Sequence, residues 1–201
     1  MSFEPISKEN PLVLASHSPR RKRLLEQIAL PFRSLPSHVE ENQVPGEPPV
    51  KAVVLAEKKA KAVYPKSKHR WILGADTLVV IGERILGKPG DQEEVHAMLS
   101  LLSGKEHEVI TGFCLLDPSG KVAWAEAVTT LVKMKHLSEE EIKAYITTGE
   151  PFGKAGSYAI QGIGAFMVES ISGSYTNVVG LPLCALIKSL LASGALKSFP
   201  L

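Results

Sequence analysis

Apolar and polar positions along this chain follow two periods, and the alternation between them predicts strands and helices in turn. Short apolar runs without helical spacing predict strands at Val13–Leu14, Phe32–Leu35, Trp71–Leu73, Thr77–Ile81, Ile85–Leu86, His107–Leu116, Val122–Val132 and Ala165–Ile171. Helical spacing and helix-start signals predict helices from Pro19 onward, over Val50–Val63, from Asp91 to Leu102, from Ser138 to Thr147 and over Leu183–Ala192.

Turn signals show how neighbouring strands connect. Gly82–Glu83 and Pro118–Gly120 each separate two apolar runs, which predicts antiparallel strand pairs. Because the other strands are separated by helices and no repeat is present, we expect an α/β fold. The predicted architecture is a mixed β-sheet with helices packed on it, in two lobes around a cleft.

Composition narrows the classes of protein. The 201 residues can bury one full core or two small lobes, and the net charge of +2 gives little bulk attraction for nucleic acid. Cys114 and Cys184 lie far apart in apolar runs, so we expect both in the core of a protein from a reducing cytosol. No apolar run reaches the roughly 18 residues of a membrane span, and the polar start lacks a signal-peptide pattern. These features predict a cytoplasmic protein outside the membrane.

An apolar strand runs directly into a cationic helix start at Leu14–Lys22. Ser18 is a good N-cap, and Pro19 occupies the first helical position, where proline is tolerated best. Unpaired backbone N–H groups, serine hydroxyls and guanidinium groups therefore gather at one point, which suits a phosphate chain. The alternative is a capped surface helix with a solvated basic face.

A carboxylate and a hydroxyl, Asp76 and Thr77, interrupt two predicted apolar strands. A buried ionised group needs a partner or a metal, so this position is a candidate site. The alternative is a structural Asp that closes a turn after Gly74.

Other polar segments are ambiguous from the residues alone. Lys88 could reach a phosphate or lie on the surface, and the pair Glu40–Glu41 could hold Mg²⁺ but is more typical of a solvated loop. Lys58–Lys59 on the alanine-rich helix is typical of a solvated face. The glycine-rich run Gly153–Gly162 indicates a backbone that lies close to a ligand.

Several common catalytic motifs are missing from the sequence. It contains no GxxxxGK[ST], GxGxxG or HExxH pattern and no His/Cys cluster, and His107 is more typical of a strand end than of a ligand. The remaining carboxylates, lysines, arginines and amide suit metal-assisted attack of water on a phosphate.

Together these motifs resemble the Maf family of nucleoside triphosphate pyrophosphatases over about residues 12 to 190. The matching motifs are Leu14–Ser16, Ser18–Arg21, Gly74–Thr77, Gly87–Pro89, Leu102–Lys105 with His107, Thr111–Gly112, Lys154–Gly156 with Tyr158, Gln161–Gly162 and Val179–Pro182. The resemblance implies one domain over 1–201, with an elongated mixed sheet and a cleft similar to those of inosine triphosphatases. It also implies a house-cleaning enzyme, commonly dimeric, that uses Mg²⁺, or Mn²⁺ or Co²⁺, to release pyrophosphate and a nucleoside monophosphate.

The resemblance also assigns roles to residues. It implies a catalytic set of Asp76, Glu41 and Lys88, of which Asp76 and Glu41 hold the metal. It implies that the substrate is bound by Ser16, Arg20, Arg21, Lys59, Thr77 and Gln161.

Gln161 indicates the branch of the family. Members with Tyr-x-x-Gln-Gly resemble the branch that acts on dTTP and UTP, whereas the 7-methyl-GTP branch has an acidic residue at this position. An amide both donates and accepts hydrogen bonds, as the edge of uracil or thymine requires. Gly153 stands where the family usually has an Asp, so no contact of that carboxylate carries over.

Two other functions remain as alternatives. A septation-regulating or nucleic-acid-binding protein without turnover would use the basic loop, but Glu41 and Asp76 would repel a nucleic acid. A nucleotide phosphatase would release orthophosphate instead of pyrophosphate. We therefore expect a nucleoside triphosphate as the partner, and neither nucleic acid nor a membrane.

Overall fold

A computed structural model describes residues 3–39 and 44–201 of the chain. The described residues form seven strands: β1 (Leu12–Leu14), β2 (Phe32–Ser34), β3 (Ile72–Ile81), β4 (Arg84–Leu86), β5 (Glu106–Leu116), β6 (Val122–Met134) and β7 (Val168–Ser172). They form six α-helices: α1 (Pro19–Gln27), α2 (Pro48–Val63), α3 (Gln92–Leu102), α4 (Glu139–Thr147), α5 (Tyr175–Val179) and α6 (Leu183–Ala192).

The strands form one mixed sheet in the order β2-β1-β3-β5-β6-β7, with β4 paired to β3. Strand β1 is parallel to both β2 and β3, whereas the β3–β4 and β6–β7 pairs are antiparallel. This confirms the predicted α/β class and mixed sheet. None of the helices among the described residues combines the length and the apolar character that crossing a bilayer requires.

The chain divides into two compact units. Unit 1 contains the described residues of Met1–Asp76, Thr111–Val128 and Gly180–Leu201, and unit 2 contains Thr77–Ile110 and Thr129–Val179. Strands β3, β5 and β6 each contribute residues to both units. The boundary in β3 falls between Asp76 and Thr77.

Close packing of α2 on the sheet organises unit 1. A Cβ at Gly74 on β3 would lie 2.0 Å from the carbonyl oxygen of Ala56, and one at Gly112 on β5 would lie 2.3 Å from the carbonyl carbon of Ala52. Only glycine allows such an approach of helix backbone to strand backbone. The side chains that α2 carries beside this contact, Lys59 among them, are therefore brought close to β3.

Local capping signals fix the helices of unit 2. The Asp91 side chain accepts a hydrogen bond from the Glu94 N–H at the start of α3. Ser138 and Glu141 form a complete capping box at the start of α4, as predicted. Both helices contribute buried residues to one apolar core with the strands of this unit, including Leu99.

Three predicted elements differ from those observed. The predicted strands Trp71–Leu73 and Thr77–Ile81 are one strand, β3, because Gly74 accommodates α2 instead of starting a turn. Asp76 consequently lies within a strand. The predicted strand at Ala165 begins only at Val168, after a 3-10 helix over Ile163–Met167. The short helix α5 was not predicted.

The predicted burial of the two cysteines is confirmed for one of them only. Cys114 on β5 is buried as predicted, and burial is the main cause that raises the pKa of its thiol to about 12. The prediction of a buried Cys184 is wrong, because this residue lies on an exposed part of α6.

Candidate active site

The predicted anion loop joins β1 to α1 in unit 1. The Ser18 hydroxyl accepts a hydrogen bond from the Arg21 N–H at 3.4 Å, which confirms the N-cap. The Ser16 hydroxyl accepts hydrogen bonds from the Ser18 N–H at 3.1 Å and from Arg21 Nη1 at 3.2 Å. The first helical turn is thus held by the serine hydroxyls that precede it.

Arg21 faces inward instead of forming part of a solvated basic surface. Arg21 is 9% exposed, and its Nε donates a hydrogen bond of 2.7 Å to the carbonyl oxygen of Gly180. The guanidinium group therefore connects the anion loop to the segment that precedes α6. Arg20, the next residue toward the N-terminus, is half-buried in the first turn of α1.

A largely buried ion pair, between the half-buried Lys59 and the buried Asp76, joins α2 to β3. Lys59 Nζ lies 2.5 Å from Asp76 Oδ1, and the two side chains are 11% and 10% exposed. In a low-dielectric environment their attraction is strong, and removal of either partner would leave a costly unpaired charge. The sequence-based interpretation of Lys59 as a solvated residue is wrong, whereas its neighbour Lys58 is exposed.

The packing explains why this pair was missed. Lys59 precedes Ala60, which is fully buried on the face of α2 that packs against the core of unit 1. Gly74 lies two residues before Asp76 on β3, so the close approach at Gly74 brings α2 to this carboxylate. The alanine spacing on α2 and Gly74 were the available signals in the sequence.

The remaining candidates belong to unit 2 or lie outside the described residues. Thr77 is half-buried on β3, Lys88 is exposed between β4 and α3, and Gln161 is half-buried in the glycine-rich loop. The Gly156 N–H donates to the carbonyl oxygen of Gly87, so the segments that carry Lys88 and Gln161 are in contact. Glu41 lies outside the described residues.

A buried neutral pair holds the glycine-rich loop to β5. His107 Nε2 and the Tyr158 hydroxyl are 2.7 Å apart, and both residues are buried. Burial lowers the pKa of His107 to about 4 and raises the pKa of Tyr158, so both side chains are neutral at pH 7. The role of His107 as an anchor of this loop was not predicted.

Of the two carboxylates predicted to hold a metal, Asp76 and Glu41, only Asp76 lies among the described residues. Within residues 3–39 and 44–201, no three His, Cys, Asp or Glu side chains are grouped to hold a metal ion. Mg²⁺, however, commonly binds through one or two carboxylates together with substrate phosphates. The buried Asp76 carboxylate, which belongs to the same unit as the cationic start of α1, fits that type of site.

Known proteins are similar to this chain over most of its length. The family model described as Maf-like protein matches residues 11–193. A dTTP/UTP pyrophosphatase of Ruminiclostridium cellulolyticum is 58% identical over 174 residues, which cover 86% of this chain and 90% of that protein. Proteins with the same name from a Geobacter species and from Syntrophotalea carbinolica are 52% and 49% identical, over 94% and 97% of this chain and 98% and 90% of theirs.

One solved structure is a distant neighbour. It is a nucleoside-triphosphatase, dITP/XTP pyrophosphatase, from Mycobacterium abscessus, with a TM-score of 0.40 and 14% sequence identity. The match covers 69% of this chain and 95% of that chain.

Proposed function

The chain belongs to the Maf family, and from this premise we propose that it hydrolyses dTTP and UTP to the nucleoside monophosphate and pyrophosphate. The names and high coverage of the similar proteins support a nucleoside triphosphate pyrophosphatase. The structural observation that carries the proposal is the buried Lys59–Asp76 pair, because a carboxylate and a cation held together away from water suit phosphoryl chemistry. Modified pyrimidine nucleotides are further candidate substrates of the same kind.

A divalent metal ion belongs to this proposal. Asp76 would hold it together with Glu41, and Mg²⁺ is the proposed ion, with Mn²⁺ or Co²⁺ as alternatives. Once bound, such an ion supplies a lowered pKa for a water molecule and neutralises charge on the phosphates.

The chain's own residues act on the triphosphate by position and charge. Ser16 and Arg20, at the start of α1, bind phosphate oxygens, and Arg21 keeps this loop in shape through Ser16 and Gly180. Attack of water occurs in line on the α-phosphorus, with Asp76 as a metal ligand or as the base that accepts the water proton.

Two lysines stabilise the leaving pyrophosphate. In this proposal Lys59 exchanges its contact with Asp76 for a contact with the phosphates when the nucleotide binds. Lys88 contributes a second point charge, as the motif match implies. Both lysines therefore act on the part of the substrate that every nucleoside triphosphate shares.

Gln161 and Thr77 complete the substrate contacts. We assign Gln161 to the pyrimidine base, because its amide can pair with an adjacent carbonyl and N–H. Thr77 contributes a hydroxyl to substrate binding, as the motif match implies. We further propose that the chain is a single cytoplasmic domain, 1–201, that assembles as a homodimer with a role in cell division.

Product identification tests the activity. The protein is incubated with Mg²⁺ and a panel of nucleoside triphosphates, and the products are separated, with an EDTA-treated sample as the control. Pyrophosphate and the monophosphate, formed fastest from dTTP and UTP, support the proposal. Orthophosphate as the first product would make the chain a phosphatase, and no turnover on any nucleotide would favour a binding protein.

A further inference from the structure

We propose that Glu150 is a positioning residue for Gln161, and that it sets the preference for pyrimidine nucleotides without touching the substrate. This inference rests on the proposed function, because it concerns the base-contacting role assigned to Gln161. It starts from a cluster of hydrogen bonds in unit 2 that catalysis does not use.

The Glu150 carboxylate holds the turn that follows Gln161. Its Oε2 accepts a hydrogen bond from the Ile163 N–H at 2.8 Å, and its Oε1 accepts one from the Gly164 N–H at 2.9 Å. Oε1 also accepts a hydrogen bond from the Tyr145 hydroxyl at 2.9 Å. One side chain thus fixes two consecutive backbone amides, the first of which lies two residues after Gln161.

Gly162 lets the backbone pass close to this carboxylate. It has a φ of 111°, and a Cβ at this position would lie 2.6 Å from Glu150 Oε2. Only glycine combines this backbone conformation with so close an approach. The positive φ favours glycine after Gln161, and the missing Cβ leaves room for the Glu150 carboxylate at this turn.

Glu150 holds the turn as a charged group. Burial acts to raise the pKa of its carboxyl, but the hydrogen bonds from Gly164, Ile163 and Tyr145 outweigh burial and the pKa is lowered. The group is ionised at neutral pH and acts only as an acceptor. An amide in its place would direct an NH₂ group at one of these donors and would loosen the turn.

A second contact holds the loop on the other side of Gln161. Tyr158, three residues earlier, is hydrogen-bonded to His107 on β5. Gln161 consequently lies on a short backbone segment held at both ends. Because hydrogen-bond recognition of a base edge requires placement within a fraction of an ångström, loosening one end should reduce base discrimination before it reduces chemistry.

The experiment compares kcat/KM for dTTP, UTP and GTP in Glu150→Gln with that of the parent protein. We expect the dTTP/GTP ratio to fall about tenfold, through a higher KM for the pyrimidine nucleotides, while kcat stays within about twofold. Glu169→Gln is the matched control, since Glu169 is half exposed at 51% and pairs with Lys133 on the surface of the same unit. This control should keep the parent ratio.

Tyr145→Phe provides a second, milder test. It removes one hydrogen-bond donor and leaves Glu150 with both backbone amides, so we expect a ratio lowered about twofold to threefold and a folded protein. This variant decides the question if Glu150→Gln does not fold.

Two results would overturn the inference. A common loss of rate on all three nucleotides, or an unchanged dTTP/GTP ratio in both Glu150→Gln and Tyr145→Phe, would mean that Glu150 has a structural role only. Gln161→Glu is measured in parallel to separate the two proposals: if it too leaves the ratio unchanged, the assignment of Gln161 to the base fails. If only the Gln161 variant changes the ratio, the proposed function stands and the role of Glu150 is refuted.

Discussion

The two units hold their candidate site residues in different ways. In unit 1 the charged candidates are largely shielded from solvent on regular elements, as the half-buried Lys59 on α2 and the buried Asp76 on β3 show. In unit 2 Gln161 lies in a loop that neutral side chains, backbone amides and a single carboxylate hold in place. Charges fixed in a low-dielectric core suit the phosphates common to all nucleotides, whereas a tethered loop suits recognition of one base.

This difference predicts two kinds of mutational effect. Changes to the buried charges of unit 1 should lower the rate on every nucleotide by a similar factor. Changes to the loop of unit 2 should alter the ratio between nucleotides.

Asp76→Asn should lower kcat/KM on every nucleotide by at least ~100-fold, because it removes the buried carboxylate that we propose as metal ligand or base. The variant should be less stable than the parent because Lys59 loses its countercharge, but it should still fold, since asparagine can accept a hydrogen bond from Lys59. Asp91→Asn is the control, because Asn caps a helix as well as Asp does. Near-normal turnover of Asp76→Asn at saturating Mg²⁺ would show that the active site lies elsewhere.

Lys59→Met should lower the rates roughly tenfold to a hundredfold on all nucleotides, because the cation proposed to contact the phosphates is lost. It should also tighten binding of Mn²⁺ to the nucleotide-free protein, since Asp76 loses its competing cation. Electron paramagnetic resonance of free Mn²⁺ measures this affinity. The exposed neighbour Lys58→Met serves as control, and equal behaviour of the two variants would remove Lys59 from the site.

Lys88→Ala tests whether a residue of unit 2 can affect all nucleotides alike. Lys88 belongs to unit 2, but its proposed contact is with the triphosphate, so we expect a loss of about tenfold shared by all nucleotides. Steady-state kinetics on dTTP, UTP and GTP measures it, with the exposed Lys143→Ala as control. Equal rates for Lys88→Ala and the parent would mean that Lys88 is a surface lysine that does not contact the substrate.

A change at His107 should have a distinct effect on the pH dependence of stability. The folded pKa of this residue, about 4, lies below the ordinary 6.5, so the unfolded chain binds a proton that the folded protein does not. The stability that the neutral ring contributes is complete above pH 6.5 and falls by about 3 kcal/mol as the pH drops toward 4. Urea unfolding of the parent and of His107→Gln across this range measures the difference.

The change with pH of the difference in unfolding free energy between the parent and His107→Gln shows whether His107 is held neutral in the folded protein. If the parent and His107→Gln lose stability in parallel between pH 6.5 and 4, His107 is not held neutral. His136→Gln, a change at an exposed histidine of the same unit, controls for general effects of the substitution.

Local signals in the sequence predicted the helix starts well. Ser18 and Pro19 opened α1, and Asp91 and Ser138 opened α3 and α4, because each cap bonds to amides only three residues away. The motif match also pointed to Asp76, although the residues alone left a turn as an alternative.

Contacts between distant residues were not predictable in the same way. Gly74 looks like a turn signal in the sequence, yet it serves the packing of α2, and this packing buries Lys59. Glu150 is separated from Gly164 by 14 positions, and no periodicity in the sequence predicts the hydrogen bond between them. Such roles depend on tertiary contacts, which the pattern of neighbouring residues does not record.

The dTTP/GTP ratio of kcat/KM in Gln161→Glu, measured beside that of Asp76→Asn, tests the division most directly. The carboxylate loses the amide donor, so the Gln161 variant should lower the ratio by about one to two decades, whereas the Asp76 variant should keep the parent ratio at a much lower rate. A Gln161 variant that slows all nucleotides by one common factor, with its ratio unchanged, would contradict the assignment of base selection to the loop of unit 2.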